Sequence, residues 1–291
     1  MTLGRWGVAG TDVIRERRAD ELAEILAGLE ERGIGTIWFG ENVGGEAFAT
    51  AGVLLGRSSR LGVATGIANM AARAPAAMAA GSRILSEAYP DRFALGIGVS
   101  HAAIVEAYGG TPVASPLTQL RDYLDAMNAT PPGAGEHPAP ILVSALGPRM
   151  LELTAARGLG VHAWNVTPEH TATARAAVGP DGLVAPRQAV MLCDDAATVR
   201  AVGRRHLSKY LVFPNYRREW RRQGFDERDL DGEASDRLVD AMVAWGSTAS
   251  ILERLAEHHE AGADHVAVHP LPRPGTTAAE AVLELAEVLP A

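Results

Sequence analysis

Three side chains able to move protons stand where apolar runs end. Glu41 follows Thr36–Gly40, His101 follows Phe93–Ser100, and His269 closes His265–His269. Each is placed at the end of a segment that reads as a buried strand, where a general acid or base could face a bound ligand. A glutamate there serves equally as a structural hydrogen-bond acceptor, and a lone histidine as a core side chain, so both readings stay open. Other chemistries lack their residues: there is no nucleophile elbow, phosphate-binding P-loop or zinc signature. His265 and His269 share a strand face but have no third ligand at a metal-binding spacing, and no metal is expected. His258 and His259 are adjacent on a helix, point in different directions and are expected to be solvated.

Two glycine-containing stretches could receive a ligand. Gly96-Ile97-Gly98 opens like a dinucleotide fingerprint, but His101 stands where the third glycine belongs and no acidic residue ends a later strand, so a dinucleotide site is rejected. These glycines admit either a flat ligand or another backbone. Ser144-Ala145-Leu146-Gly147-Pro148-Arg149-Met150 turns a strand into a helix. A helix start with glycine before it offers free N–H groups and a positive dipole end, which suits phosphate, and Arg149 adds a cation. A plain strand-to-helix turn has the same form.

The elements that must position these residues alternate. Strands are expected at Gly4–Gly10, Thr36–Gly40, Leu61–Ile67, Phe93–Val99, Ile141–Ser144, Val161–Asn165, Arg187–Cys193 and His265–His269. Helices are expected at Arg18–Arg32, Phe48–Gly56, Pro75–Tyr89, Ser115–Asn128, Pro148–Arg157, Pro168–Val178, Ala196–Tyr210, Ser250–Ala261 and Thr277–Leu289. Thr130–Pro140 is a Pro/Gly loop. The strands are short and apolar without clean alternation, as strands covered on both faces are. Strict alternation implies parallel pairing with right-handed crossovers, and eight units imply a closed α/β (β/α)8 TIM barrel over 1–291 with an irregular, arginine-rich helical insertion at about 211–245. An open doubly wound sheet is the alternative. In a barrel, chemistry lies at the carboxyl ends of the strands.

Composition narrows the partners. The 291 residues are 47% hydrophobic and 21% charged, as in a soluble globular chain. A net charge of -8 argues against nucleic acid. The dense basic stretch Arg217, Arg218, Arg221 and Arg222 reads as a solvated helix face or as a lip over an anionic ligand. No apolar run is long enough to span a membrane and no export signal is expected. Cys193 is the only cysteine, so no internal disulfide forms, consistent with a reducing cytoplasm. Trp38 and Phe39 are expected in the core.

Several stretches in order resemble the luciferase-like monooxygenase superfamily, in particular its coenzyme F420-dependent oxidoreductases. They are Glu31–Glu41, Gly66–Pro75, Ala88–Gly98, Ala145–Leu153 and Ala261–Val266. The resemblance implies a barrel with a deazaflavin or flavin across its carboxyl face. It implies a non-proline cis peptide at Gly66–Ile67 that bulges the third strand behind the ring. It further implies a phosphate site at Ala145, Leu146, Gly147, Pro148, Arg149 and Met150, with Asn69, Gly98 and Ser100 lining the ring. Members that oxidise sugar phosphates carry an Asp-His pair where this chain has Glu41-Asn42, and a carboxylate where it has His101. That substrate is therefore not carried over, and Glu41 with His101 is the expected substitute pair. Asn42, Trp164, Asn165 and His269 are expected to line the pocket of a small organic substrate. The resemblance also implies a cytoplasmic homodimer that transfers hydride with coenzyme F420. The alternatives are an FMN-dependent monooxygenase and a barrel that binds flavin without catalysis.

Overall fold

The computed structural model describes residues 3–16, 19–131 and 138–290. The start of the expected Arg18–Arg32 helix and residues 132–137 of the Pro/Gly loop lie outside them. The strands are β1 (Trp6–Ala9), β2 (Thr36–Gly40), β3 (Gly62–Asn69), β4 (Phe93–Gly98), β5 (Ile141–Val143), β6 (Gly160–Val161), β7 (Arg187–Leu192), β8 (Val243–Gly246) and β9 (Val266–Pro270). The first helices are α1 (Thr11–Glu16), α2 (Ala19–Glu31), α3 (Ala47–Arg57), α4 (Pro75–Ala88), α5 (Ala102–Ala107), α6 (Pro116–Asn128) and α7 (Pro148–Ala156). They are followed by α8 (Pro168–Val178), α9 (Ala196–Leu211), α10 (Pro214–Arg222), α11 (Glu227–Leu230), α12 (Asp236–Met242), α13 (Thr248–Glu260) and α14 (Ala278–Val288). Local chemistry sets many of these starts: Pro75, Pro116, Pro148 and Pro168 each open a helix, and Thr277 with Glu280 forms a capping box.

All strand pairs are parallel, in the order β6-β5-β4-β3-β2-β1-β9-β7-β8. Hydrogen bonds from Val161 N to Leu183 O, Ala185 N to Val161 O and Arg187 N to Ala163 O tie β6 to the chain entering β7. The eight expected strands thus form the α/β barrel. The sheet nevertheless has nine strands, which corrects the expected count. Val243–Gly246, at the end of the segment read as helical, adds to the carboxyl half of β7. A strand has two edges. On β7 one edge is taken by β9, while β6 occupies the other only near Arg187, so the remainder is open to β8. The short apolar run Val243-Ala244-Trp245 had no pattern of its own to announce this. Helices α1 and α5 were likewise not expected; at six residues each they are too short to show a helical period.

The barrel interior is layered. Trp38, 1% exposed, fills the middle among Ala9, Ala64, Ala94, Leu142, Ala185 and Ala267. One large side chain surrounded by small ones is how a narrow closed sheet is packed. Phe39 points the other way, into the shell of helices. The Trp38 indole stacks on His162, with ring centroids 4.2 Å apart, and donates to His265 Nε2 at 2.9 Å. His265 Nδ1 donates to Gly4 O, His162 Nδ1 donates to Ala185 O, and His162 Nε2 accepts from Trp164 Nε1. Both imidazoles are therefore neutral and fully partnered. Burial pulls His162 down to about 3 and His265 to about 4. His258, expected in solvent, is fully buried: it accepts from Thr171 Oγ1 and donates to Gln188 Oε1, because α13 packs on α8 and β7.

These histidines give stability a pH dependence of known sign. Unfolded, they titrate near ~6.5; folded, they stay neutral to lower pH, so the unfolded chain binds more protons as pH falls. Stability should be full above about pH 6.5 and should fall between there and about pH 4, by up to ~1.4 kcal/mol per pH unit for each histidine. Urea midpoints measured across that interval check this; a flat profile would show that the imidazoles are protonated in place.

Candidate active site

The carboxyl rim of the barrel begins with a bulge. Phe39 pairs with Thr65 but Gly40 with Ile67, and Ala64 pairs with Ala94 but Ala68 with Ile97, so β3 carries one extra residue against both neighbours. The Thr65 hydroxyl bridges the gap: it donates to Gly96 O and accepts from Gly96 N, both at 2.8 Å. Gly96 is glycine for this close approach, since a Cβ there would lie 2.0 Å from Thr65 O. The bulge expected at Gly66–Ile67 is thus present, but the cis peptide is not: no cis peptide occurs among the described residues. A side-chain hydroxyl standing in for the ladder accommodates the extra residue with ordinary trans geometry.

Beyond the bulge, Glu41 is 5% exposed and its oxygens are fully used. Oε1 accepts from Ala47 N at 2.9 Å and Oε2 from Asn69 N at 2.7 Å; Arg73 clamps both oxygens and also reaches Glu46. The ion pair holds the Arg73 guanidinium charged, and Tyr123 Oη fixes its backbone by donating to Arg73 O. The geometry joins Glu41 to Arg73 and not to His101. Asn69, fully buried, accepts from Ala71 N through Oδ1 and leaves Nδ2 without a partner.

His101 precedes α5 and follows Ser100, whose φ of 63° is left-handed. The imidazole stacks on Phe213, centroids 3.5 Å apart and planes 3° apart, and burial draws its pKa down to about 4. Trp164, Asn165 and His269 are brought together around His206 and Arg187. The Asn165 Oδ1 accepts from His206 Nε2, and its backbone carbonyl accepts from Trp220 Nε1. His206 and His269 meet at a tilt, ring centroids 5.6 Å apart, and both are held neutral by burial and by the nearby Arg187 charge. Asn42 is exposed and apart from this group; its carbonyl accepts from Gly45 N. Arg187, His206, Tyr210, Phe213 and Tyr216 complete the mouth and were not anticipated. Arg187, a charged residue opening an apolar strand, was the one legible signal. The others come from α9 and α10, helices whose placement over the rim has no local signature.

A planar bed crosses the rim between Gly40 and Gly66. A Cβ at Gly66 would lie 3.0 Å from Trp164 Cζ2, and one at Gly40 3.4 Å from Trp164 Cη2. The bed therefore already supports a flat aromatic ring, and another ring bound there requires the indole to leave. At one end Ala145–Met150 leads into α7. Gly147 precedes the helix with no side-chain cap, Arg149 is exposed beside it, and a Cβ at Gly147 would lie 3.3 Å from Arg222 Nη1. His170 Nε2 donates to Leu146 O and steadies the turn. Uncapped N–H groups flanked by two arginines suit a phosphate. Three arginines of the basic stretch are in ion pairs: Arg217 with Asp231, Arg221 with Glu227 and Arg222 with Glu219. The unpartnered Asn69 donor and this anchor suit a phosphate-bearing deazaflavin or flavin, whose ring would take the place on the bed that the Trp164 indole now holds.

The Glu41–Arg73 pair should be worth more to the fold than its distance from the core suggests. Glu41→Gln keeps the shape and removes the buried charge; leaving Arg73 with only the exposed Glu46 should cost up to about 3–5 kcal/mol in urea denaturation. Arg73→Met added to Glu41→Leu should recover part of that loss. An unchanged midpoint in Glu41→Gln would show that the pair is solvated.

Comparison with known proteins agrees with this architecture. Residues 3–265 match the family model described as luciferase-like monooxygenase. A Mycobacterium tuberculosis protein provisionally named a coenzyme F420-dependent oxidoreductase is 28% identical over 125 residues, covering 43% of this chain and 34% of that protein. The match thus spans about a third of that relative's length. An F420-dependent secondary alcohol dehydrogenase solved with an F420-acetone adduct superposes with a TM-score of 0.73 at 15% identity, covering 97% of this chain and 98% of that one. The coenzyme F420-dependent tetrahydromethanopterin reductase of Methanopyrus kandleri superposes with a TM-score of 0.71 at 15% identity, over 96% and 97%. The FMN-bound oxygenating component of 3,6-diketocamphane monooxygenase from Pseudomonas putida gives 0.64 at 16%, over 92% of each chain. These solved structures share the fold, and the family match over most of its length shows that the chain belongs to the luciferase-like monooxygenase family.

Proposed function

We propose that the protein is an oxidoreductase that moves a hydride between coenzyme F420 and a small organic substrate. The observation that carries this reading is the bed between Gly40 and Gly66 ending in the uncapped, arginine-flanked start of α7. When bound, the coenzyme supplies a ring carbon that gives or takes a hydride, chemistry no side chain offers. Ala145, Leu146, Gly147, Pro148, Arg149 and Met150 hold its phosphate, with Arg222 beside them. Gly66, Ile67, Gly98 and Ser100 shape the ring bed, and the Asn69 Nδ2 donor serves a ring carbonyl. Glu41 acts through Arg73 and the Asn69 backbone as a positioning residue. Asn42 lies at the outer rim, while Trp164, Asn165 and His269 border the substrate.

His101 carries the proton. Its ring nitrogens have no hydrogen-bond partner among the described residues, and with a pKa near 4 it is neutral at ordinary pH. A neutral imidazole can accept the proton of a substrate hydroxyl as the hydride leaves, and can return it in the opposite direction. The stack on Phe213 fixes the ring plane, so only the ring edge faces a substrate. The enzyme acts in the cytoplasm as a homodimer. Supporting the latter, Val53 and Ile84 are exposed apolar residues on the neighbouring helices α3 and α4; a monomer mass in sedimentation equilibrium would refute the dimer.

Fluorescence titration with coenzyme F420 and with FMN tests the cofactor, with tighter binding of F420 expected. Preference for FMN would place the protein with the flavin monooxygenases. Binding without turnover of alcohols, enones or imines would make it a carrier, and binding of neither ends the reading. His101→Ala should lower kcat by about 10²- to 10⁴-fold while leaving coenzyme affinity within a few-fold. Unchanged turnover would remove His101 from the reaction.

A further inference from the structure

Arg187 is the unusual group of the barrel mouth. It opens β7, points inward and is 7% exposed. Its guanidinium lies over the Trp164 ring, 3.8 Å from the centroid. It forms no ion pair among the described residues, and its guanidinium donates none of the described hydrogen bonds. Asp12 acts on it only from a distance. Other arginines of this chain behave differently: Arg73 meets Glu41 and Glu46, Arg175 meets Asp264, and Arg217 meets Asp231.

The groups around Arg187 cannot neutralise it. Trp164 offers a ring face, Tyr210 and Tyr216 carry buried phenols that stay protonated, and His206 and His269 are neutral imidazoles. The neighbouring Asn165 holds a left-handed backbone, φ 50°, and its Nδ2, close enough to the Tyr210 hydroxyl to favour the phenolate slightly, makes no hydrogen bond of ordinary geometry. The mouth thus combines a positive charge, an unused amide donor and no anion. A guanidinium stays charged even when buried, so the cost of its desolvation persists until a counter-charge arrives. Its planar fork matches the two oxygens of a carboxylate.

We infer that the barrel mouth is a carboxylate site, in which Arg187 binds the carboxylate of a small organic acid and Asn165 Nδ2 adds a further donor. Resting on the oxidoreductase reading, this assigns the substrate class: a molecule that bears a carboxylate in addition to its reacting carbon. The aromatic walls of Tyr210 and Tyr216 suit an apolar body attached to that carboxylate.

The test needs no turnover. Benzoate and its neutral isostere benzamide are titrated into the purified protein without coenzyme, with binding read by calorimetry and melting temperature. Benzoate should bind and raise the melting temperature; benzamide should bind at least tenfold more weakly. Arg187→Met should weaken benzoate at least tenfold, and Arg187→Lys, which keeps charge but not the fork, should fall between. Without ligand, Arg187→Met should melt no lower than the parent, because an unpaired buried charge has been replaced by apolar volume. Equal binding of the two probes, benzoate affinity unchanged in Arg187→Met, or an Arg187→Met protein that melts well below the parent would each overturn the assignment. So would an Arg187→Met protein that keeps benzoate but loses coenzyme F420, since the arginine then serves the coenzyme. A protein that binds benzoate through Arg187 yet takes neither F420 nor FMN keeps this site and loses the oxidoreductase reading.

Discussion

The Thr65 hydroxyl is the contact on which the functional end of the barrel depends. By bonding both the N–H and the C=O of Gly96, it lets β3 carry one residue more than its neighbours without leaving backbone groups unpaired. The extra residue, Gly66, brings Ile67 level with Gly40 and sends Asn69 N to Glu41. The flat bed, the Glu41–Arg73 clamp and the start of α4 all follow from that shift. A regular third strand would carry side chains across the place where Trp164 now lies.

Beneath the bed, polarity is settled pairwise. Trp38, His162, His265 and Trp164 form a connected set in which each described ring N–H finds an acceptor. Such a network rigidifies a core only when every member is satisfied. The mouth above it is different. Neutral rings from Trp164, β9, α9 and α10 surround a single guanidinium, and two amide donors, Asn69 Nδ2 and Asn165 Nδ2, lack a hydrogen-bond partner. The mouth thus gathers a guanidinium without a counter-ion and two unpartnered amide donors, where a ligand can meet them.

The segment between α9 and β8 explains how that end is covered. Its apolar residues, among them Tyr216, Trp220, Leu230 and Leu238, pack with α9 and β7 as a second cluster. Its arginines are largely consumed in local ion pairs, Arg222 with Glu219 among them, and Arg222 also lies against Gly147 at the α7 turn. Phe213 and Tyr216, carried on the same segment, bring aromatic surface to His101.

Short-range patterning was enough to read the eight barrel strands, the helices opened by proline, the burial of Trp38 and Phe39, and the turn at Gly147-Pro148 into α7. Those features are set within a few residues, by apolar periodicity and turn chemistry, and the order of motifs pointed to the family. The tertiary structure alone decided that the Gly66 bulge is trans, that Val243–Gly246 is a strand, that His258 is buried, that Glu41 belongs to Arg73, and that Arg187 faces Trp164 without a counter-ion. Each of these is fixed by partners distant in the chain, and the free energy of burying a charge, a ring or a strand edge depends on those partners, which spacing along one sequence does not encode.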